Sequence, residues 1–147
     1  MFAYDIQYGG DPFDKYDLKG QTDYNSFMAV FENFPWQEEV EKVNSNQKGC
    51  SPTLSVKNET DENALWVSMS GEKGKYGYLV GYVYNKMKKG LFGFGKERLV
   101  KWVEIYLPDE KQQVKELFKI YFERRYDFLL SEIRKFKKFD EMQAWKP

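Results

Sequence analysis

Glu104 is the acidic side chain whose neighbours suggest chemistry. It alternates with Trp102 and Tyr106 in the run Leu99–Leu107, and desolvation among rings raises a carboxyl pKa. A raised carboxyl can act as the acid of a glycoside hydrolase, but that reaction needs a second carboxylate roughly 5–10 Å away. The same alternation also fits a glutamate paired across the strand with a lysine or arginine, or a polar anchor within a binding face. The chain has no histidine. That removes the commonest general base, the Ser-His-Asp and Cys-His arrangements, and most zinc sites. Cys50 is the one cysteine, so neither an intramolecular disulfide nor a thiolate metal cluster is expected. Asp5, Asp11, Asp14, Asp17 and Asp23 miss the alternate spacing of a calcium loop and read as solvated loop acids. These residues name no catalytic group, metal or cofactor, and they favour a binding module over an enzyme.

The glycine-rich stretch Lys89-Gly90-Leu91-Phe92-Gly93-Phe94-Gly95-Lys96 fails as a phosphate-cradling loop, because it does not join a strand to a helix start. It comes close to the RNA-recognition signature. Leu91 is extra, however, and Gly95 and Lys96 occupy places that should hold a strand. A basic hairpin tip with Phe92 and Phe94 available to a partner is the preferred reading.

The elements that would position these residues are two strands, 76–84 and 99–107. Alternation separates Tyr76, Tyr78, Val80, Tyr82 and Tyr84 from Gly77, Leu79, Gly81 and Val83. It likewise separates Val100, Trp102, Glu104 and Tyr106 from Leu99, Lys101, Val103, Ile105 and Leu107. Two further strands are expected at 51–57 and 64–70. Leu65, Val67, Leu79, Val83, Val103 and Ile105 then form a core face that carries the helices. Trp66, Tyr82, Tyr84, Trp102 and Tyr106 form the opposite, aromatic face, with Glu104 among them. Either residues 1–21 cover that face or it is a binding surface, since interface hot spots favour Trp and Tyr.

Phe27, Val30, Phe31 and Phe34 fall on one stripe of a helix at 23–34, capped by Thr22 or Asp23 and ended by Pro35. Trp36–Val43 continues helically. After Pro108-Asp109, helical spacing covers Val114, Leu117, Phe118 and Tyr121. It resumes at Tyr126, Leu130, Ile133 and Phe136 after a break near residues 125–127. Residues 1–21 read as irregular, with a short edge strand at Tyr4–Tyr8, and residues 137–147 as a segment that docks or frays. The fold class is α+β: a four-stranded antiparallel meander with N-terminal helices and C-terminal helices packed on one face. At 147 residues the chain reads as a single domain, 1–147. Acidic and basic residues balance at 23 each, although the first 70 residues hold 12 acids against 5 bases. No apolar run approaches the roughly 20 residues of a membrane span, and the first ten residues lack a signal-peptide pattern. A cytoplasmic location is expected.

Phe31-Glu32-Asn33-Phe34-Pro35-Trp36 is a short helix ending in an aromatic-Pro-Trp corner. Cys50-Ser51-Pro52-Thr53-Leu54-Ser55-Val56 then enters the meander, with Leu65-Trp66-Val67-Ser68 on the next strand. This layout, over residues 22–136, resembles the small α+β immunity proteins of bacterial polymorphic toxin and contact-dependent inhibition systems. The resemblance implies a non-enzymatic cytoplasmic protein that binds and neutralises a cognate toxin. The partner-binding residues expected are Trp66, Tyr82, Tyr84, Trp102, Glu104 and Tyr106, with Phe92 and Phe94 at the tip. The alternative is a single-stranded nucleic-acid-binding protein that stacks bases on the aromatic face. A homodimer paired through a sheet edge fits the same residues.

Overall fold

The computed structural model describes residues 1–88 and 97–144. Seven strands and four helices follow one another as β1 (Phe2–Gln7), β2 (Asp17–Thr22), α1 (Tyr24–Asn33), α2 (Trp36–Asn46), β3 (Thr53–Asn58), β4 (Asn63–Glu72), β5 (Lys75–Lys88), β6 (Arg98–Leu107), α3 (Lys111–Phe122), α4 (Tyr126–Ile133) and β7 (Lys137–Gln143). They form an α+β fold with one antiparallel sheet in the order β2-β1-β3-β4-β5-β6-β7. The expected meander is the β3–β6 centre of this sheet. β1 is not an edge: it lies between β2 and β3. β2 lies at the end of the stretch read as irregular, and β7 in the segment expected to dock or fray. Neither has the apolar alternation that marks a strand, because every residue of β7 is exposed and most of β2 is too.

The helices begin and end where side chains and backbone can satisfy their free groups. Asp23 accepts from the Ser26 amide at 2.7 Å and caps α1. Pro35 separates α1 from α2. The Gln113 side chain accepts from the amides of Asp109 and Glu110, closing the first turn of α3. Arg124 has φ +59°, which breaks α3 from α4. No helix among the described residues is long and apolar enough to cross a membrane.

The helices all reach one face of the sheet. Phe27 of α1 meets Tyr4 edge-on, and Phe31 and Trp36 pack on Tyr78. The Tyr121 hydroxyl of α3 donates to the carbonyls of Val56 and Asn63 at 3.3 and 3.0 Å. Tyr126 of α4 stacks on Tyr82. The core between the layers holds Phe27, Phe31, Trp36, Leu54, Val56, Leu65, Val67, Val80, Tyr82, Tyr106, Phe118, Tyr121 and Ile133. The tyrosine face of β5 is therefore the core face, which corrects the expected assignment.

The cause is the register of one hairpin. Glu72 pairs with Lys75 across a two-residue turn, so Leu65 lies opposite Tyr82, Val67 opposite Val80 and Met69 opposite Tyr78. A two-residue loop fixes which faces meet, and a one-residue difference would exchange them. Leu65 and Val67 thus join the tyrosines beneath the helices. Trp66 goes to the other face with Gly81 and Ile105. The β5–β6 register agrees with the alternation read from sequence: Tyr82 opposes Glu104, Tyr84 opposes Trp102, and Val83 opposes Val103.

Candidate functional site

Two places on the sheet are candidates, one beneath the helices and one on the face that, among the described residues, no helix covers. Beneath α4, Glu104 is 1% exposed. Arg134, just past the end of α4, grips its carboxylate with two hydrogen bonds, Nε to Oε1 at 3.0 Å and Nη2 to Oε2 at 2.7 Å. Tyr106 donates to Oε1 at 2.7 Å, and Tyr84 donates to Oε2. Burial alone would raise the carboxyl pKa. The hydrogen bonds from Arg134, Tyr84 and Tyr106, with the Arg134 charge, outweigh burial and hold it at about 2. Burial, followed by the hydrogen bond to Glu104, pushes the Tyr106 hydroxyl up to about 12. The same two causes push Tyr84 well above the ordinary tyrosine range.

A carboxylate held this way keeps no proton to donate near neutral pH. It is a structural tie between α4 and the sheet. Its partner comes from a helix terminus, not from the neighbouring strand. A second polar cluster lies alongside. Tyr82 stacks on Tyr84 with centroids 5.4 Å apart, and its hydroxyl accepts from Asn63 at 3.2 Å. Tyr126 donates to Asp61 at 2.7 Å and accepts from Asn58 at 3.1 Å. These tyrosines place their rings in the core and use their hydroxyls to satisfy buried polar groups.

The residues expected to bind a partner are therefore divided. Tyr82, Glu104 and Tyr106 are buried. Tyr84 and Trp102 share their face and are half-buried, with Lys86 Nζ 4.5 Å above the Trp102 ring. Trp66 is half-buried on the opposite face. Phe92 and Phe94 lie outside the described residues. The aromatic face is covered by the four helices, and residues 1–21 contribute two strands to the sheet instead of a cover.

The uncovered face is built from rows of residues in register across the strands. One row runs Lys57, Ala64, Val83, Val103, Met142 from β3 to β7, and the next runs Ser55, Trp66, Gly81, Ile105, Asp140. Met87 pairs with Leu99 further along the β5–β6 hairpin. Val103 and Ile105 are buried but stand outside the helix-covered core. The most exposed apolar side chains here are Leu99 at 60%, Met87 at 52% and Met142 at 42%. A Cβ at Gly81 would sit inside the Trp66 indole, so glycine is what lets that ring lie flat across β5.

Asp5, on β1, extends the Trp66 row through Ser55. Its Oδ1 is buried with no hydrogen-bond partner among the described residues. Burial pushes its carboxyl up to about 6 against the lowering effect of Lys57. Leu79, Val83, Val103 and Ile105, expected beneath the helices, lie on this opposite face together with Met87, Leu99 and Met142. The signal that places all of them together is the two-residue β4–β5 turn combined with strict alternation.

Among the described residues, no group of His, Cys, Asp or Glu is placed to hold a metal ion. Comparison with protein-family models, with curated proteins and with solved structures finds no match for this chain.

Proposed function

We propose that this chain is a protein-binding module of the immunity type, which docks a cognate toxin in the cytoplasm on its uncovered sheet face. The observation that carries this reading is the one-sided packing of the sheet. Four helices cover one side; on the other, among the described residues, Trp66, Val83 and Met142 lie in two adjacent rows, and Met87 and Leu99 stand exposed beyond the Asn85–Lys101 pair. Exposed large apolar side chains gathered on one face support an interaction site, and aromatic and methionine side chains are enriched in interface centres. The contact surface proposed here retains Trp66 and replaces Tyr82, Glu104 and Tyr106, which the fold buries. The nucleic-acid alternative needed open rings for stacking. Burial of Tyr82 and Tyr106 removes the central part of that platform.

The test is co-expression with the protein encoded beside this chain, with growth of the host as readout. Protection by the wild-type chain and its loss on Met87→Lys with Leu99→Lys supports the reading. Both substitutions lie at exposed positions, so they leave folding intact. Protection that survives both changes would move the contact surface elsewhere, and no protection from the wild-type chain would remove the toxin partner.

A further inference from the structure

We propose that Asp5 is the polar anchor of the docking face, a seat for the guanidinium of an arginine that the partner brings. This inference deepens the docking reading, on which it rests, by naming the side chain that Asp5 recognises.

Asp5 sits in the middle of β1, opposite Leu18 of β2 and Ser55 of β3. Paired residues point to one side of a sheet, so all three belong to the face away from the helices. The Asp5 Oδ1 is buried and accepts no hydrogen bond among the described residues. β1 is paired along both edges, so the backbone amides around Asp5 are engaged in the ladder. Lys57, two residues beyond Ser55 on the same face, lowers the Asp5 carboxyl through its charge alone and makes no salt bridge with it among the described residues. Glu104 shows what this fold supplies when a carboxylate of the sheet is structural: four hydrogen bonds. None reaches Oδ1 of Asp5. A buried acceptor left without a donor costs stability, and groups that break local rules in this way gather at functional sites.

The missing groups are N–H donors that carry positive charge. A guanidinium presents several of them in one plane and gives up its water more easily than an ammonium does. Asp5 as a whole is only half-buried. The carboxylate can therefore be approached from solvent, past Ser55, the small residue that separates it from Trp66. Leu18 is 79% exposed and Tyr16 is 49% exposed. Tyr16 lies close enough that burial, followed by the Asp5 charge, pushes its hydroxyl up. A docked partner covers this apolar rim and keeps water from the ion pair, and the pair strengthens as the local dielectric falls.

Amide chemical shifts of the full chain, followed by NMR at about pH 7.5 where the carboxyl is ionised, test the seat. The probe is N-acetyl-arginine amide, which carries one cation, added to about 100 mM. The expected result is saturable shifts at Asp5, Leu18 and Ser55, with a Kd on the order of 10 mM. N-acetyl-citrulline amide has the same shape without the charge and should produce none. Asp5→Asn should weaken arginine binding at least about tenfold while it raises thermal stability; a carboxylate with a merely structural role would lose stability when replaced. Leu99→Lys, at the far end of the β5–β6 hairpin, should leave the shifts as they were. Absence of saturable shifts overturns the proposal. So does an equal response to the citrulline compound, or binding that survives Asp5→Asn. The growth assay above reads whether the neighbouring protein docks, and the titration reads the seat without it, so either can fail alone.

Discussion

Replacing Arg134 with methionine isolates the tie between α4 and the sheet. Among the described residues, the guanidinium supplies two of the four hydrogen bonds to the Glu104 carboxylate and its one salt bridge. Holding the carboxyl at about 2 against an ordinary 4.5 corresponds to about 3 kcal/mol of stability at neutral pH. Arg134 is half in solvent, and screening reduces this to about 2 kcal/mol. Methionine keeps the aliphatic packing of the arginine stem, so the loss reports the charge.

The pH dependence fixes the mechanism. Glu104 has a depressed pKa in the folded chain. Its contribution is therefore complete above about 4.5 and disappears as pH falls towards 2. In the variant, burial dominates and Glu104 takes up a proton at higher pH. Urea denaturation should therefore show a deficit of about 2 kcal/mol at pH 7, falling to half or less at pH 3. Equal deficits at both values would mean that Arg134 acts through packing and that the ion pair contributes nothing.

Other parts of the fold make their own predictions. Gly81→Ala forces the Trp66 indole off β5; it should cost about 1–3 kcal/mol in thermal or urea unfolding and alter the near-ultraviolet circular dichroism. An unchanged spectrum would refute the close approach. Tyr121→Phe leaves the buried carbonyls of Val56 and Asn63 short of a donor and should cost about 1–2 kcal/mol by urea denaturation. Asp5 has a raised pKa, so its ionised form opposes folding and stability falls as pH rises from about 3.8 through about 6. Asp5→Asn should therefore stabilise the chain by about 1 kcal/mol at pH 7.5 after allowance for partial exposure, with no gain at pH 3.5. A gain of equal size at both values would assign the effect to something other than the buried carboxylate.

Much of this architecture was legible in the sequence because it follows from periodicity. Phe27 and Phe31 mark α1, Pro35 ends it, and the β5–β6 alternation puts Tyr82, Tyr84, Trp102, Glu104 and Tyr106 on one side, where the structure also has them. Which side that is depends on the β4–β5 register, and the residues alone do not weigh a tyrosine-rich face against an aliphatic one. The helices bring Phe27, Phe31, Trp36, Phe118 and Tyr121, and rings pack well on rings. The tyrosine hydroxyls find partners in Glu104, Asn63 and Asp61, which makes burial of that face affordable. β2 and β7 escaped notice because an edge strand with little buried on either side has no apolar period to display. The partner of Glu104 was out of reach for a similar reason: Arg134 follows it by 30 residues in the chain, and only the return of α4 over the sheet brings the two together.

Methionine oxidation by hydroxyl radicals tests the proposed docking face most directly, because the chain carries its own reporters. Met87 and Met142 lie on that face, Met1 is exposed elsewhere, and Met28 and Met69 are buried. At about 1 µM chain, Met1, Met87 and Met142 should oxidise readily while Met28 and Met69 stay intact. Adding the neighbouring gene's product should protect Met87 and Met142 and leave Met1 reactive. A complex in which Met87 and Met142 oxidise as fast as in the free chain would contradict the account.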